Sequence, residues 1–182
     1  MDEYVEIWDK TGKPTGDKAF KSEVHRRGWF HPTVHVWFYT RQNQVLLQKR
    51  ADTKDTFPGL WDVSVAGHIH AGETPMEAVL REVEEEIGIR ILPEDLNFMG
   101  RFLSEQAHPG GILDREFQYV YLTELKVPLQ ALKADPKEVA ALELCSLLRL
   151  AEEVWGMADV GKYVPHSKPY YSAVLKALKS RP

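Results

Sequence analysis

The segment 67–89, GHIHAGETPMEAVLREVEEEIGI, constrains the fold more than any other part of the 182-residue chain. Thr74 is a favourable N-cap, a proline follows at the first helical position, and Glu77 completes a capping box with Thr74. Gly88 is placed to end the helix in a left-handed conformation. These signals predict a helix that begins at Thr74 and ends at Ile87.

The predicted helix has an apolar face and an acidic face. Because each residue turns an α-helix by about 100°, five residues should form one apolar stripe against a sheet: Met76, Val79, Leu80, Val83 and Ile87. Glu82, Glu85 and Glu86 have i, i+3, i+4 spacing and gather on an adjoining face, whereas Glu84 points to solvent. Their mutual repulsion would be offset by Mg²⁺, which prefers oxygen ligands. A solvated acidic face is the alternative explanation.

The same segment resembles the Nudix signature at each specified position. Five residues separate Gly67 from Glu73, seven more precede Arg81-Glu82, and the pattern closes with Glu85-Glu86-Ile87-Gly88-Ile89. The resemblance implies an α/β fold, a Nudix-type α/β/α sandwich with a central mixed sheet, in which a loop–helix–loop holds a divalent metal against a diphosphate. It also implies metal ligands at Glu82, Glu85 and Glu86, and support of the motif by Gly67, Glu73 and Arg81. Glu77 and Glu85 lie four residues either side of Arg81, which independently gives Arg81 a structural role.

This pattern suits hydrolysis of a diphosphate linkage in a small nucleoside diphosphate derivative or a related phosphorylated metabolite. Mg²⁺ or Mn²⁺ neutralises phosphate oxygens and lowers the pKa of a bound water, and a carboxylate takes the proton of that water. The candidate catalytic carboxylates are Glu85, Glu116 and Glu138, and the sequence does not choose among them. Arg50 and Lys54 are candidate phosphate-binding residues, with ordinary surface cations as the alternative.

A looser similarity runs over most of the chain. The region from Gln48 to Glu73 resembles type I isopentenyl-diphosphate isomerases, which share the Nudix fold. That resemblance implies a metal site at the following positions: His25, His31, His68, Glu116 and Glu86. However, Ala66 stands where the isomerases place an essential cysteine, and the Nudix glutamates that they have lost are intact here. Since allylic isomerisation needs a proton donor on each side of the double bond, we expect a hydrolase of the isomerase-like branch. Isomerase activity and a non-catalytic binding module are the alternatives.

The other elements are predicted from alternating, β-branched and aromatic segments. The predicted strands are Tyr4–Asp9, Thr33–Thr40, Gln44–Gln48, Trp61–Ala66, Phe98–Ser104, Glu116–Leu125 and Ala141–Leu144. The turn at Gln42-Asn43 makes the second and third of these a hairpin, and two more helices are predicted over Leu147–Trp155 and Pro169–Lys179. The segment from Tyr163 to Tyr171 has no assigned role beyond a substrate-pocket edge. Without repeats or linkers, one Nudix hydrolase domain over residues 1–182 is expected.

Composition and charge exclude several classes of protein. The net charge of -4 provides no basic face for a nucleic-acid polymer. The acidic N-terminus does not have the pattern of a secretory signal, and no apolar run reaches membrane-spanning length. The single cysteine, Cys145, fits a reducing compartment. We therefore expect a cytoplasmic protein with a small-molecule diphosphate substrate and without a membrane or nucleic-acid partner. A homodimer is one expected assembly, because hydrolases of this type are often dimers.

Overall fold

The computed structural model describes residues 2–159 and 161–181. Within these residues, nine strands join one mixed sheet: β1 Tyr4–Trp8, β2 Pro14–Phe20, β3 Phe30–Tyr39, β4 Gln44–Arg50, β5 Trp61–Asp62, β6 Val65–His68, β7 Asn97–His108, β8 Ile112–Glu124 and β9 Val139–Ser146. The α-helices are α1 Lys21–Arg27, α2 Pro75–Ile87, α3 Leu147–Val154 and α4 Lys168–Ser180. None of the described helices is long and apolar enough to cross a membrane.

Strand β3 organises the sheet around the site. One of its edges pairs in parallel with β8, and antiparallel partners along the strand are β1, β6 and β4. The register sets Thr33 opposite both His68 of β6 and Gln118 of β8. Because alternate residues of a strand share a face, His31, Thr33 and His35 lie in one row along the same side of the sheet.

Helices cover both faces of the sheet. On one face, α2 buries Val79, Val83 and Ile87 against Val34, Phe38 and other residues of β3, β4 and β6. On the other face, α3 and α4 pack over Trp37 and Leu47. These two layers around a mixed sheet confirm the predicted α/β/α sandwich. They also confirm the predicted apolar stripe of α2 at Val79, Val83 and Ile87, with Met76 partly buried against the same core. Ala78 is buried as well, and Leu80 is only partly buried.

The predicted strand Trp61–Ala66 is wrong as a single element. It is two short strands, β5 pairing with β4 and β6 pairing with β3. Between the two strands, the Ser64 hydroxyl takes the place of backbone hydrogen bonds in the sheet. Its Oγ accepts from the Phe38 N–H at 2.8 Å and donates to the Leu46 carbonyl at 2.5 Å. This buried side chain bridges β3 and β4 and separates the two pairings.

Two elements were not predicted from the sequence, β2 and α1. All but one residue of β2 are exposed, so its side chains do not have the half-buried alternation typical of strands. Helix α1 has seven residues, and Phe20 at its N-cap position makes no side-chain cap. Helix α1 matters for the site, because it places Lys21 and His25 in the lining of the cavity described below.

Candidate active site

One cavity of about 680 Å³ gathers most of the residues that the sequence singled out. Its lining includes Arg50, Lys54, Gly67, Glu82, Glu85, Glu86, Glu116 and Glu138. Glu73 and Arg81 are not part of its lining. Arg81 binds Glu73 and also contacts Glu82 and Glu85 of the acidic face. The structure therefore brings the predicted ligands, catalytic carboxylates and cations to one place.

Helix α2 has the ends that its sequence predicts. The Glu77 N–H donates to Thr74 Oγ1 at 3.3 Å, and Glu77 Oε2 accepts from the Thr74 N–H at 2.8 Å. Gly88 ends the helix with φ 70°. One prediction is wrong: the side chain of Glu77 is used in this capping box, so the (i, i+4) pair with Arg81 does not form.

The three glutamates of the acidic face lie in different environments. Glu82 and Glu86 are buried, whereas the side chain of Glu85 is 58% exposed. Burial raises the pKa of Glu82 to about 7, although the adjacent Arg81 opposes the rise. Burial, reinforced by the charge of Glu82, raises the pKa of Glu86 to about 8. Two carboxylates buried this close together resist carrying two negative charges unless a cation is present.

Each buried carboxylate has one oxygen held by the protein. Glu82 Oε1 accepts from Arg81 Nη1 at 2.7 Å, and Glu86 Oε2 accepts from the Ala66 N–H at 3.1 Å and from Gln48 Nε2 at 3.0 Å. The other oxygen of each has no partner among the described hydrogen bonds. Gly67 leaves room for this arrangement, because a Cβ at that position would overlap the Glu82 carboxylate.

Arg81 fixes the loop and the helix of the motif together. It makes a bidentate pair with Glu73, with Nε to Oε1 at 2.9 Å and Nη2 to Oε2 at 2.8 Å. Nη2 also donates to the His68 carbonyl at 2.8 Å, and Nη1 reaches Glu85 Oε2 at 3.1 Å. Such a fork holds both partners in a defined geometry, which agrees with the structural role expected for Arg81.

A cluster of three histidines lies beside these carboxylates. His25 of α1, His31 of β3 and His68 of β6 each offer one ring nitrogen, and these atoms lie within 4.8 Å of one another. In all three rings Nε2 is buried without a hydrogen-bond partner among the described residues. Burial lowers the pKa of His25 and of His31 to about 4 and that of His68 well below its usual value, so the rings are neutral near pH 7.

Two carboxylates complete the surroundings of the cluster. Asp114 Oδ1 lies 3.6 Å from His25 Nε2 and 3.7 Å from His31 Nε2, and it too lacks a hydrogen-bond partner among the described residues. His31, Asp114 and Glu116 form a second, overlapping set within 4.8 Å. In the described part of the chain only these two sets of three meet that distance, and the three glutamates of α2 do not. Unprotonated imidazoles facing a carboxylate are a donor set that suits Mg²⁺, Mn²⁺ or Zn²⁺.

The two predicted phosphate-binding cations are already paired. Arg50 donates to Asp62 Oδ2 at 3.2 Å and to the Thr56 carbonyl at 3.0 Å. Lys54 forms an ion pair with Glu138, one of the candidate catalytic carboxylates. Both cations still line the cavity, so a phosphate group can approach them there.

Several lining residues were not found by the sequence reasoning. Glu3 and Lys21 pair at 3.4 Å, and Glu3 Oε2 also lies 3.1 Å from His68 Nδ1. His166 and Asp62 also line the cavity, and His166 Nε2 lies 2.8 Å from Asp62 Oδ1. His166 falls in the segment expected to form a pocket edge, which its position in the lining supports. The other pairings join residues far apart in sequence and leave no local signal.

Comparisons with known proteins agree with this geometry. A family model described as the NUDIX domain matches residues 29–164. Nudix hydrolase 3 of Arabidopsis thaliana is 38% identical over 146 residues, which are 78% of this chain and 19% of that protein. An uncharacterized Nudix hydrolase of Clostridium acetobutylicum is 34% identical over an alignment of 203 positions, which covers 97% of each chain. Isopentenyl-diphosphate Delta-isomerase 2 of Photorhabdus laumondii is 31% identical over 158 residues, 85% of this chain and 87% of that protein.

Solved structures give the same fold. The crystal structure of DR0079 from Deinococcus radiodurans has a TM-score of 0.72 at 19% identity and covers 98% of this chain and 100% of its own. A MutT protein from Methanosarcina mazei has a TM-score of 0.61 at 18% identity, with 82% and 93% of the two chains covered. At these identities the likeness concerns the fold.

Proposed function

Because the chain belongs to the Nudix hydrolase family, we propose that it cleaves a diphosphate linkage in a small phosphorylated metabolite with the help of Mg²⁺ or Mn²⁺. The proposal includes one catalytic domain over residues 1–182. The cavity supports this proposal. It brings together buried carboxylates that each have one oxygen free of protein hydrogen bonds, histidines whose Nε2 has no partner among the described residues, and several cations. A diphosphate and divalent cations have the charges and the ligand preferences that this arrangement leaves unmatched.

The glutamates of α2 fit the metal expected from the Nudix signature. Glu82 and Glu86 each keep one oxygen free of protein hydrogen bonds, and Glu85 can turn toward the cavity because its side chain is largely exposed. When bound, a divalent cation neutralises phosphate oxygens and lowers the pKa of a coordinated water. The chain itself then binds and orients the substrate, with Arg50 and Lys54 contacting phosphate oxygens.

The reaction requires a group that removes a proton from water. As the water oxygen bonds to phosphorus, the bond from phosphorus to the bridging oxygen breaks, and that oxygen leaves with the departing phosphate. Glu85, Glu116 and Glu138 remain the three candidates for the base. Glu116 accepts from Gln118 at 2.8 Å, Glu138 is paired with Lys54, and Glu85 with Arg81. Glu→Gln substitutions at the three positions would identify the base, since only its variant should lose the acidic limb of the kcat–pH profile.

The histidine cluster supports a second metal position. His25, His31 and His68 each offer a ring nitrogen within 4.8 Å of the others, and a cation among them would satisfy buried nitrogens that the described residues leave unpaired. Co²⁺ titration followed by its visible absorption spectrum tests this position. A His31→Gln variant should lose one binding event of two, and retention of both would contradict the assignment.

The deciding experiment is phosphate and monophosphate release across a panel of diphosphate compounds with Mg²⁺, Mn²⁺ or EDTA. Metal-dependent cleavage of any member would support the proposal and narrow the substrate class. Glu85→Gln should abolish that cleavage, whereas Glu84→Gln is the matched control on the solvent side of α2. Metal-independent cleavage, or cleavage unaffected by Glu85→Gln, would contradict the proposed mechanism.

Isomerisation of a prenyl diphosphate is the second candidate function. The observation in its favour is the cluster of histidines with Glu116, at the positions matched by the isomerase resemblance. Against it, Ala66 lines the cavity with a methyl group and contributes only its N–H, to Glu86. Isopentenyl diphosphate in the same panel, with its double-bond position followed by NMR, distinguishes the two functions, because an isomerase moves the double bond without releasing phosphate.

A further inference from the structure

Asp62 of β5 is a buried carboxylate of the cavity wall, and the proposed reaction gives it no role. Its side chain is 4% exposed. Oδ1 accepts from the Val63 N–H and lies 2.8 Å from His166 Nε2, while Oδ2 accepts from Arg50 Nη1 at 3.2 Å. Burial would raise the pKa of the Asp62 carboxyl, but His166 and Arg50 hold it below its usual value. The ionised carboxylate therefore divides its two oxygens between two groups that line the cavity.

Arg50 is held with part of its guanidinium free. Nε donates to the Thr56 carbonyl and Nη2 to the Thr56 hydroxyl, both at 3.0 Å, and Nη1 donates to Asp62. Each terminal nitrogen of a guanidinium carries a second N–H, so Nη1 and Nη2 both keep one donor without a partner among the described residues. Two such donors on one planar group are what a bidentate contact with phosphate requires. Asp62 fixes the Nη1 side of that group.

His166 is brought to Asp62 by backbone pairing and held there by stacking. The Val164 N–H donates to the Trp61 carbonyl at 2.9 Å. This contact sets the segment before His166 beside the residue that precedes Asp62. The imidazole then stacks on the ring of Tyr170, with centroids 4.5 Å apart and an interplanar angle of 25°. The protein therefore fixes both the position and the plane of the imidazole.

The second ring nitrogen of His166 is available to a ligand. Because an ionised carboxylate only accepts hydrogen bonds, Nε2 carries a proton and donates it to Asp62. Nδ1 makes no hydrogen bond with a described residue, and it is not among the enclosed nitrogens, in contrast to Nε2 of His31. The side chain lines the cavity. When the ring carries a second proton, Nδ1 becomes a donor that suits a phosphate oxygen.

The groups that face the His166 ring leave room for an added positive charge. The rings of His35, Tyr170 and Tyr171 have centroids within 5.5 Å of it. Burial lowers the pKa of His35 to about 4 and raises the pKa of both tyrosine hydroxyls, so all three are neutral near pH 7. The carboxylate of Asp62 offsets the charge of the guanidinium bound to it. A proton on His166 would therefore give this wall a net positive charge, which a phosphate group stabilises.

We propose that Asp62 is a positioning residue that holds Arg50 and His166 as a joint binding site for one phosphate group of the substrate. Because the guanidinium and the imidazole contact the same carboxylate, their free donors lie on one part of the cavity wall. The inference rests on the proposed function, which supplies the diphosphate as the ligand. It adds His166 to the residues that contact that ligand and explains why a buried carboxylate lies behind an arginine that binds phosphate.

Binding of methylenediphosphonate, a diphosphate analogue with a carbon bridge, tests the site without turnover. Its affinity is measured by calorimetry in saturating Mg²⁺ on the full chain and on two variants, Asp62→Asn and His166→Gln. Glutamine can place its amide nitrogen near the position of Nε2, so His166→Gln keeps a donor to Asp62 and removes Nδ1. We expect Asp62→Asn to weaken binding at least tenfold and His166→Gln at least fivefold. The second variant decides the role of His166 even if the first does not fold.

Two further readouts separate positioning from general support of the fold. If Asp62 acts through its two partners, Asp62→Asn should weaken binding less than twofold in a chain that already carries Arg50→Gln and His166→Gln. Calorimetry in two buffers of different ionisation enthalpy counts the protons taken up on binding. At pH 8 the wild type should take up more protons than His166→Gln, because the bound phosphate favours the doubly protonated ring.

A matched control removes a carboxylate from another arginine. Glu124 accepts from Arg41 at 2.7 Å, and neither residue lines the cavity. Glu124→Gln should leave both the affinity for methylenediphosphonate and the proton uptake unchanged.

The outcomes separate this site from the reaction. Unchanged affinity of His166→Gln, equal proton uptake by wild type and His166→Gln, or an undiminished effect of Asp62→Asn in the doubly substituted chain would each overturn the joint site. If the analogue binds as expected and no diphosphate of the panel is cleaved, the site stands and the proposed function fails.

Discussion

Gly67→Ala tests how closely the site is packed. A Cβ at Gly67 would overlap Cδ and both oxygens of the Glu82 carboxylate. The backbone of Gly67 is not in the left-handed region, so the strain is steric and comes from this one neighbour. Glu82 cannot easily move aside, because it is buried and held by Arg81 at 2.7 Å. Overpacking of a tight site costs about 1–3 kcal/mol, and we expect Gly67→Ala to lower the free energy of unfolding by about 2 kcal/mol.

A double-mutant cycle isolates the contact. In a Glu82→Ala background the added methyl group meets no carboxylate, so Gly67→Ala should then cost about 0.5 kcal/mol or less, a coupling of about 1.5 kcal/mol. Urea unfolding in EDTA measures all four proteins without a metal contribution. Glu85→Ala is the matched background, since Glu85 lies on the same helix but is not among the nearest neighbours of that Cβ, and its coupling should be near zero. Additive effects in the Glu82→Ala background would refute the reasoning.

Three further predictions concern one glutamate each: Glu85, Glu3 and Glu153. Glu85→Gln should lower kcat at least 100-fold while changing stability by less than about 0.5 kcal/mol, because its side chain is 58% exposed; the exposed Glu84→Gln should leave both values unchanged, and a Glu85→Gln enzyme with normal phosphate release would contradict the assignment. Glu3→Gln should weaken Co²⁺ binding about tenfold, because Glu3 Oε2 contacts His68 Nδ1 at 3.1 Å; unchanged affinity by calorimetry would contradict a role of this contact in metal binding. Burial would raise the pKa of Glu153, but hydrogen bonds from Lys162, Tyr163 and Arg149 lower it from 4.5 to about 2. The contribution of ionised Glu153 to stability is therefore present above pH 4.5 and is lost as the pH falls toward 2. Glu153→Gln should therefore lower the free energy of unfolding at pH 7 by about 2 kcal/mol and flatten its acid dependence in urea titrations, and an unchanged acid slope would refute the pairing.

The motif helix was predictable because its determinants are local. Thr74, Glu77 and Gly88 act on backbone groups within one turn of themselves, so the order of residues specifies both ends of α2. The Nudix resemblance implied that Arg81 and Glu73 support the motif, without specifying their pairing, and the spacing within the helix predicted the contact of Arg81 with Glu85. The same spacing wrongly predicted a contact with Glu77, because capping offers that carboxylate two donors at the N-terminus.

The rest of the site depends on pairings that sequence spacing does not encode. His25, His31 and His68 meet only because α1 packs against β8, the parallel neighbour of β3, and because β3 pairs with β6. The isomerase resemblance indicated these positions, whereas no pattern indicated the pairing of Asp62 with His166, which are 104 residues apart. The break after β5 has the same origin, since Ser64 bonds to two strands that are distant from it in sequence.

Position 66 shows how one scaffold can serve two reactions. The register sets residue 66 opposite His35, so the side chains of both residues lie on the same side of the sheet and face the cavity. In the isomerase resemblance that position supplies a cysteine, and proton transfer to carbon then depends on the side chain. Here the side chain is a methyl group, and the backbone N–H of Ala66 instead fixes Glu86 at 3.1 Å.

Glu82 completes the difference between the two chemistries. Gly67 leaves space for the carboxylate of Glu82. Burial raises the pKa of Glu82 even though Arg81 contacts it, and burial together with the charge of Glu82 raises the pKa of Glu86, so a bound cation would favour the ionised form of both. A buried pair of this kind matches a cation that neutralises a phosphate oxygen. In the proposed function, the residues at which this chain departs from the isomerase pattern, Ala66 and Glu82, therefore favour cation binding over proton transfer to carbon.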